Sequence, residues 1–411
     1  MRLTVEPTVG ERVAFYRRRK GITQEVLAGL LGRSVEWLAQ FERGARELDR
    51  LSTIVAIADV LGIDPVKLLP AAFTARRREQ RDGVIGTAPD CLVAIKDAMF
   101  RYNGSARVLG VPDRPPVGSA ELAVRINEAF ICSQTERWSR LGPLLPDLIA
   151  DAWQAAHTST GELRYRAFGQ FSLVWRVTSR MLDRIGEKDL PWIAVERTMA
   201  AAERSEDGLL VAGAVWRLAV ALRHNGYLQE SIEVPVATAG VLRSQLAQSP
   251  QHASVYGALM LKGAVGAASV GDHAAVRDYL RECDRAAQLT GDRNDFWLAF
   301  GPTNVAIHRV WLATEMGDPI DALRQAAHVD DTRLPPELAE RRASHLITVA
   351  WSHYLRRRDD EALSTLTAAR ATAPEQLMFT HRVHDMLRQM LRRDRRRRRG
   401  LRELAEFVGV Q

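Results

Sequence analysis

The side chains that could do recognisable chemistry are concentrated between residues 23 and 43. Within this stretch Glu36 can accept a hydrogen bond from the amino group of cytosine, and Gln40 can pair with adenine. Val35 can pack against the methyl group of thymine. A side chain reaches a base edge only if its helix fits the major groove of DNA. Whether these side chains can contact bases therefore depends on the helices that carry them.

The residues around this stretch predict two short helices joined by a tight turn. Thr23 can cap the first helix, Gly32 permits the turn, Ser34 can cap the second helix, and Gly44 can terminate it. Two helices with a short Gly-containing connection form the arrangement that places the second helix in the major groove. Apolar side chains on the facing sides predict a small core formed by Leu27, Leu31, Leu38 and Phe41.

The same stretch resembles the Cro/C1-type, or XRE, helix-turn-helix family. Its members carry T-Q-x-x-L-A-x-x-x-G followed by a second helix similar to I-x-x-x-E-x-G. Those places are filled here by Thr23, Gln24, Leu27, Ala28, Gly32, Leu38, Glu42 and Gly44. The resemblance extends from about Gly10 to Pro70. It implies a five-helix DNA-binding domain over residues 1–70.

The resemblance also assigns roles to individual side chains. It places Gln24 and Trp37 at the DNA backbone, where the Trp37 indole N–H can donate to a phosphate or be buried instead. Arg17 and Glu42 occupy the positions of an internal ion pair between the first and the recognition helix. A carboxylate facing the groove, such as that of Glu36, can also reject wrong bases by repulsion. The expected DNA-binding residues are Thr23, Gln24, Arg33, Ser34, Val35, Glu36, Trp37, Gln40 and Arg43.

The remainder of the chain predicts long helices arranged in repeats. Residues 71–89 are rich in Arg and Gly and are expected to form a linker. Over residues 90–411 strong helix formers dominate, and a turn followed by a helix start recurs every 40 to 46 residues. Those turns lie at Gly186, Gly226, Gly271, Gly317 and Arg358. This period predicts a stack of helical hairpins, an irregular TPR-like α-solenoid, and the fold class is all-α.

Large regulators of high-GC Gram-positive bacteria are similar in joining such a head to a TPR-like region. Because one DNA-binding head reads only a few base pairs, we expect a homodimer held by the helical region and an inverted-repeat operator. The resemblance implies a transcriptional regulator that binds double-stranded DNA. It also implies a peptide, small-molecule or protein effector. Asn304, His308 and Trp311 lie on one stripe of a helix and could face such a ligand. Interior packing of these three side chains is the alternative.

Composition and motifs favour a binding protein. The chain carries 57 basic and 50 acidic residues, with arginine-rich blocks at residues 17–20, 76–81 and 395–399 that fit a polyanionic partner or a solvated surface. No nucleotide-binding loop, zinc-protease motif or nucleophile elbow is found, so no enzymatic activity and no cofactor or metal is expected. His381 and His384 lack a third ligand nearby in the sequence.

Three widely separated cysteines and the absence of long apolar runs complete the sequence picture. Cys91, Cys132 and Cys283 are expected to be reduced thiols, because they match neither a disulfide framework nor a zinc-ligand set. No stretch could span a membrane or serve as a secretory signal, which predicts a cytoplasmic protein without membrane contact. The alternative function is an interaction scaffold whose head is vestigial or serves protein contacts.

Overall fold

The computed structural model of the chain is all-α in the part that it describes. The described residues contain no strand, only an isolated bridge between Arg293 and Phe300. The chain divides into two units, Met1–Gly86 and Thr87–Gln411. The structure describes residues 9–43, 57, 58, 60, 61, 68, 88–102, 115–187, 189–394 and 398–410.

The first unit contains three described helices, which are α1 (Val9–Arg19), α2 (Gln24–Leu30) and α3 (Val35–Glu42). Gly10 on α1 allows α1 and α3 to approach closely, since a Cβ there would lie 2.1 Å from the carbonyl oxygen of Phe41. The core of this unit consists of Val13, Leu27, Ala28, Leu38, Phe41, Ile57, Ala58, Leu61 and Leu68.

Several predicted features lie outside the described residues. They are Gly44, most of the segment expected to close the five-helix domain, nearly all of the linker, the arginine block at residues 76–81 and part of the block at residues 395–399. The corresponding residues are 44–56, 59, 62–67, 69–87 and 395–397.

Among its described residues the second unit is a stack of six helical hairpins, with one helix before them and three after them. No helix in the described part of the chain is long and apolar enough to cross a membrane. The helices are α4 (Ala88–Arg101), α5 (Ser119–Gln134), α6 (Trp138–Thr158), α7 (Glu162–Arg184), α8 (Leu190–Glu203), α9 (Gly208–His224), α10 (Glu230–Leu242), α11 (Pro250–Ser269), α12 (His273–Thr290), α13 (Pro302–Glu315), α14 (Pro319–Ala326), α15 (Ala339–Leu355), α16 (Asp359–Thr372), α17 (Pro374–Phe379), α18 (His381–Arg393) and α19 (Arg399–Phe407).

The first helix of every hairpin ends in the same kind of turn. One residue adopts a positive φ, and the next backbone N–H donates to the carbonyl five residues earlier, as Asp272 does to Ala267 at 2.9 Å. This is the Schellman arrangement, which favours glycine because a positive φ strains residues that have a Cβ. The positive-φ residues are Glu136, Gly186, Gly226, Gly271, Gly317 and Arg357, so the predicted repeat is confirmed.

Replacing Arg357 by glycine is expected to stabilise the helical unit by up to about 1 kcal/mol. Arg357 is exposed and holds φ at 60°, a conformation that glycine adopts without a Cβ penalty. The free energy of unfolding in urea checks this. Gly317→Ala is the matched control, because it introduces the penalty at φ 87° and is expected to destabilise by a similar amount. A less stable Arg357→Gly variant would contradict the assignment.

The first helices of the six hairpins, α5, α7, α9, α11, α13 and α15, are here called the inner helices. Each inner helix contacts the next one, whereas the second helices pack mainly against helices adjacent in sequence. The last inner helix, α15, also contacts the first, α5. The inner helices therefore form a ring within the helical unit.

Long-range side-chain contacts hold the ring closed. Gln134, at the end of α5, exchanges hydrogen bonds with Asn294 at 3.1 and 2.9 Å and donates to the Trp297 carbonyl at 3.2 Å. The backbone N–H of Trp138 donates to Glu375 at 2.9 Å, across 237 positions of sequence. The C-terminal helix α19 docks on the last hairpin through buried Leu401 and Leu404, as its apolar pattern predicts.

Candidate nucleic-acid interface

Two side-chain caps define the turn between α2 and α3. The hydroxyl of Thr23 accepts a hydrogen bond from the backbone N–H of Val26 at 3.3 Å, and that of Ser34 accepts from Trp37 at 3.1 Å. Gly32 lies between the two helices with φ of 61°. The caps satisfy N–H groups that have no partner within their own helices and fix where each helix begins.

A buried ion pair links α1 to the end of α3. Arg17 is 9% exposed and Glu42 is 7% exposed. Arg17 donates through Nε to Oε1 at 2.7 Å and through Nη2 to Oε2 at 2.8 Å, and its Nη1 donates to the Ile22 carbonyl at 3.0 Å. This bidentate geometry fixes the direction of α3 relative to α1, because both partners are held by two bonds.

Gln24 joins this pair from α2. Its side-chain amide donates to Oε2 of Glu42 at 2.7 Å, so one carboxylate connects all three helices. Burial alone would raise the pKa of Glu42, but the hydrogen bonds from Arg17 and Gln24 outweigh it and lower the pKa below its ordinary value. The sequence placed Gln24 at the DNA backbone and did not reveal this bond. In the structure the Gln24 amide nitrogen serves the ion pair.

The start of α3 presents a polar, exposed edge. Arg33, Ser34, Val35 and Glu36 are exposed, and Gln40 is half-buried. Along this edge the Gln40 amide donates to Glu36 at 3.0 Å. Exposed Arg43 lies 3.7 Å from the same carboxylate. The edge thus offers guanidinium, amide and carboxylate groups that can exchange these weak intrahelical bonds for bonds to base edges or phosphates.

Trp37 lies between this edge and the core. Its ring is half-buried and stacks on Phe41 with centroids 5.7 Å apart. The Arg33 guanidinium lies over the Trp37 ring, 5.3 Å from the ring centroid. Packing therefore orients Trp37, and Trp37 in turn supports Arg33 through a cation–π contact.

Comparison with known proteins assigns this unit to a family. A sequence family described as a helix-turn-helix domain matches residues 8–70. A Bacillus subtilis (strain 168) protein, an uncharacterized HTH-type transcriptional regulator named YazB, is 44% identical over 61 residues, which are 15% of this chain and 87% of that protein. The chain belongs to the HTH-type transcriptional regulators.

The regulator also shares a distant structural likeness with a solved complex. The crystal structure of Bacillus thuringiensis PlcR with the peptide PapR7 and DNA matches at 16% identity and a TM-score of 0.34, covering 69% of this chain and 95% of that one. A likeness at this level transfers neither ligand to the present regulator.

The stripe on α13 that could have faced a ligand lies mostly in the interior. Asn304 is 2% exposed and donates to the Ala299 carbonyl, and Trp311 packs against the core of the neighbouring hairpins. His308 is 8% exposed, and its Nδ1 bonds the Asn304 carbonyl at 2.9 Å. The burial of Asn304 favours the alternative of interior packing, because helical spacing cannot tell an inner face from an outer one, and a role of these three side chains in ligand binding stays a prediction.

The sequence analysis did not reveal a set of charged side chains on or next to the inner helices, here called the inner charge cluster. A signal was present in the sequence, because Arg176, Arg180 and Arg184 recur at intervals of four on α7 and must share one face. The cluster consists of Arg176, Arg180, Arg184, Arg217, Arg223, Lys262 and Arg341 with Glu136, Asp183 and Glu340, which interact electrostatically as one network.

Proposed function

We propose that this regulator reads operator DNA with the exposed edge of α3 and that an effector bound by the helical unit changes this binding. The observation that carries the DNA-reading part is the edge from Arg33 to Gln40, held at a fixed angle by the buried Arg17–Glu42 pair. In this proposal Gln40, Glu36 and Val35 contact bases. Thr23, Gln24, Arg33, Ser34, Trp37 and Arg43 hold the DNA backbone or the flanks of the site.

We further propose that two copies bind together. One module of this size reads few base pairs, and specific recognition ordinarily uses two half-sites about one helical turn apart. A homodimer held by the helical unit would meet that need and would require an inverted-repeat operator. Exposed Val93 and Phe100 on α4, seven residues apart, are apolar side chains that such a contact could cover. The protein would act in the cytoplasm as a binding protein rather than an enzyme.

The test is selection of DNA sequences by the purified full chain, followed by affinity measurements on ranked variants. Gln40→Ala is expected to relax the preference for particular base pairs. At those positions a wrong base pair should no longer weaken binding by about 1–3 kcal/mol. Arg33→Ala is expected to weaken all sequences evenly and to flatten the salt dependence.

Gln229→Ala is the matched control for Gln40→Ala. Gln229 makes the same kind of exposed bond to a glutamate four residues on, at 2.7 Å to Glu233, but lies in the helical unit. It should leave the ranking unchanged. An unaltered ranking for Gln40→Ala would reject the base-contact assignment. Selected sites without two symmetric halves would reject the dimer, and no selected sequence at all would favour the scaffold alternative.

A further inference from the structure

The inner charge cluster has more positive than negative groups. It contains seven basic side chains, on α7, α9, α11 and α15, and three carboxylates. The cluster therefore has an excess of four positive charges. The ion pair between Arg382 and Glu315, whose charged atoms lie 2.6 Å apart, would leave this excess unchanged if it were counted with the cluster. Like charges withdrawn from water repel strongly, so an unbalanced cluster of this kind destabilises the ring unless an anion joins it.

The three carboxylates are already used by arginines. Glu136 pairs with Arg184 and lies 3.5 Å from Arg180, and burial raises its pKa while these two guanidinium groups hold the rise back. The other two carboxylates also lie in ion pairs with arginines. Asp183 lies 3.1 Å from Arg217, and Glu340 lies 3.5 Å from both Arg180 and Arg341.

Lys262 is left without a carboxylate. In the described part of the chain no acidic group lies within ion-pair distance of its ammonium, which lies over the Trp216 ring, 4.2 Å from the ring centroid. Its charged neighbours are Arg341, Arg223 and Arg217, with Glu340 as the opposing group. Burial, followed by Arg341 and Arg223, therefore lowers the pKa of Lys262 well below its ordinary value. Lys262 and Arg223 are both half-buried, so water and small ions can reach them.

A second observation at the same place is an open hydrogen-bond acceptor. His308 is more than nine-tenths buried, and its Nδ1 is bonded to a carbonyl of its own helix, so Nε2 points away from α13. Nε2 has no hydrogen-bond partner among the described residues. The positive charges of Arg341 and Lys262 act on the His308 imidazole. Burial, followed by the charges of Arg341 and Lys262, lowers the pKa of His308 to about 3, so the imidazole is neutral and Nε2 is an open acceptor.

We infer that the ring interior binds a small anionic ligand, with carboxylate or phosphate oxygens held by Lys262, Arg223 and Arg341. His308 Nε2 would accept a hydrogen bond from a hydroxyl or N–H group of the same ligand. The ammonium and guanidinium groups supply donors of both kinds, a point charge and planar forks, which suit these oxygens. The inference deepens the proposed function, on which it rests, by naming the chemical class of the effector.

The test uses thermal unfolding of the full chain with sodium phosphate, succinate and malate, each titrated separately against sodium chloride of equal ionic strength. A ligand that binds the native state only raises the unfolding midpoint. We expect at least one anion to raise it by about 2 °C or more beyond chloride. Phosphate acting alone would indicate a phosphate ligand, and the two acids acting alone would indicate a carboxylate ligand. No anion exceeding chloride would overturn the inference.

Lys262→Met separates binding from the general stabilisation of folded chains by salts such as phosphate, which are excluded from the protein surface. The variant should lose the anion-specific shift, corresponding to a ten- to hundredfold weaker affinity, and should be more stable than the parent chain without anion. Lys96→Met is the control, since Lys96 lies on α4 and is 3.5 Å from Glu187. It should respond like the parent chain. An undiminished shift in Lys262→Met would overturn the assignment.

Operator affinity measured with and without the active anion distinguishes this inference from the proposed function. An anion that stabilises the parent chain through Lys262 but leaves operator affinity unchanged would support the site and reject gating by it. An anion that changes operator affinity equally in the parent chain and in Lys262→Met acts elsewhere, and this result would reject gating through the site.

Discussion

Replacing Glu42 by alanine is expected to remove most DNA binding and to destabilise the first unit by about 3–5 kcal/mol. The change leaves the Arg17 guanidinium buried without its carboxylate and frees Gln24 from α3. Hydrogen exchange of the α1, α2 and α3 amides measures the effect on this unit alone. Exchange should accelerate by about two orders of magnitude or more, and operator affinity should fall with it.

Two further variants make the result specific. Glu25→Ala removes an exposed carboxylate from the first turn of α2 and should change exchange only slightly. Glu42→Gln keeps an acceptor for Arg17 without the charge and should lie between the parent chain and Glu42→Ala. Normal exchange and DNA affinity in Glu42→Ala would show that α3 is oriented by apolar packing instead.

The lowered pKa of Glu42 gives the same pair a pH dependence. A carboxylate whose folded pKa lies below its unfolded value stabilises fully above the unfolded value, and this contribution disappears as pH falls through the folded pKa. Amide exchange in α1, α2 and α3 should therefore accelerate on acidification below about pH 4.3, after correction for intrinsic rates. Glu42→Gln should lose that component of the acceleration. An equal acid response in both chains would contradict the assignment.

Features that depend on a few neighbouring residues could be predicted from the sequence. The caps at Thr23 and Ser34, the turn at Gly32 and the positive-φ glycines of the hairpins each follow from one side chain and the backbone beside it. The family resemblance added the helix-turn-helix identity, because its motif specifies packing between the two helices as well as their ends. The fold class and the hairpin repeat rested on such local signals.

Features that depend on distant contacts could not be predicted. Glu136 occupies a turn position that glycine usually fills, so composition did not mark this turn. The contact of α15 with α5 closes the ring, and the hydrogen bonds of Gln134 with Asn294, 160 positions away, hold α5 to the segment between α12 and α13. No local pattern encodes either contact. Without that closure the face of α13 that carries His308 could not be recognised as an interior surface.

Ring closure also explains why charged residues are retained in the interior. A stack of hairpins that stayed open would leave the arginines of α7 in water. There an excess of positive over negative charges costs little free energy. Once α15 meets α5, the same side chains are partly withdrawn from water, and each unpaired charge affects stability. The effect of these charges on stability therefore depends on ring closure. Removal of the Glu136 carboxylate, which follows α5, is expected to have the largest effect on the stability of the helical unit.

Glu136→Ala is expected to destabilise the helical unit by about 3–5 kcal/mol. Glu136 is 3% exposed, accepts a hydrogen bond from Trp138 Nε1 at 2.8 Å and pairs with Arg184, while Arg180 lies 3.5 Å away. Its removal leaves two adjacent guanidinium groups facing each other over the Trp138 ring with only Glu340 to balance them. The free energy of unfolding in urea measures the loss.

The matched control for this change is Glu206→Ala. Glu206 has nearly the same backbone conformation, φ 56° against 58° for Glu136, but its side chain is exposed, so its removal should cost less than about 0.5 kcal/mol. Glu136→Gly relieves the positive φ while also removing the carboxylate, and should be about 1 kcal/mol more stable than Glu136→Ala. If Glu136→Ala and Glu206→Ala were equally stable, the carboxylate would contribute nothing to ring closure. Apolar packing between α5 and α15 would then hold the ring without it.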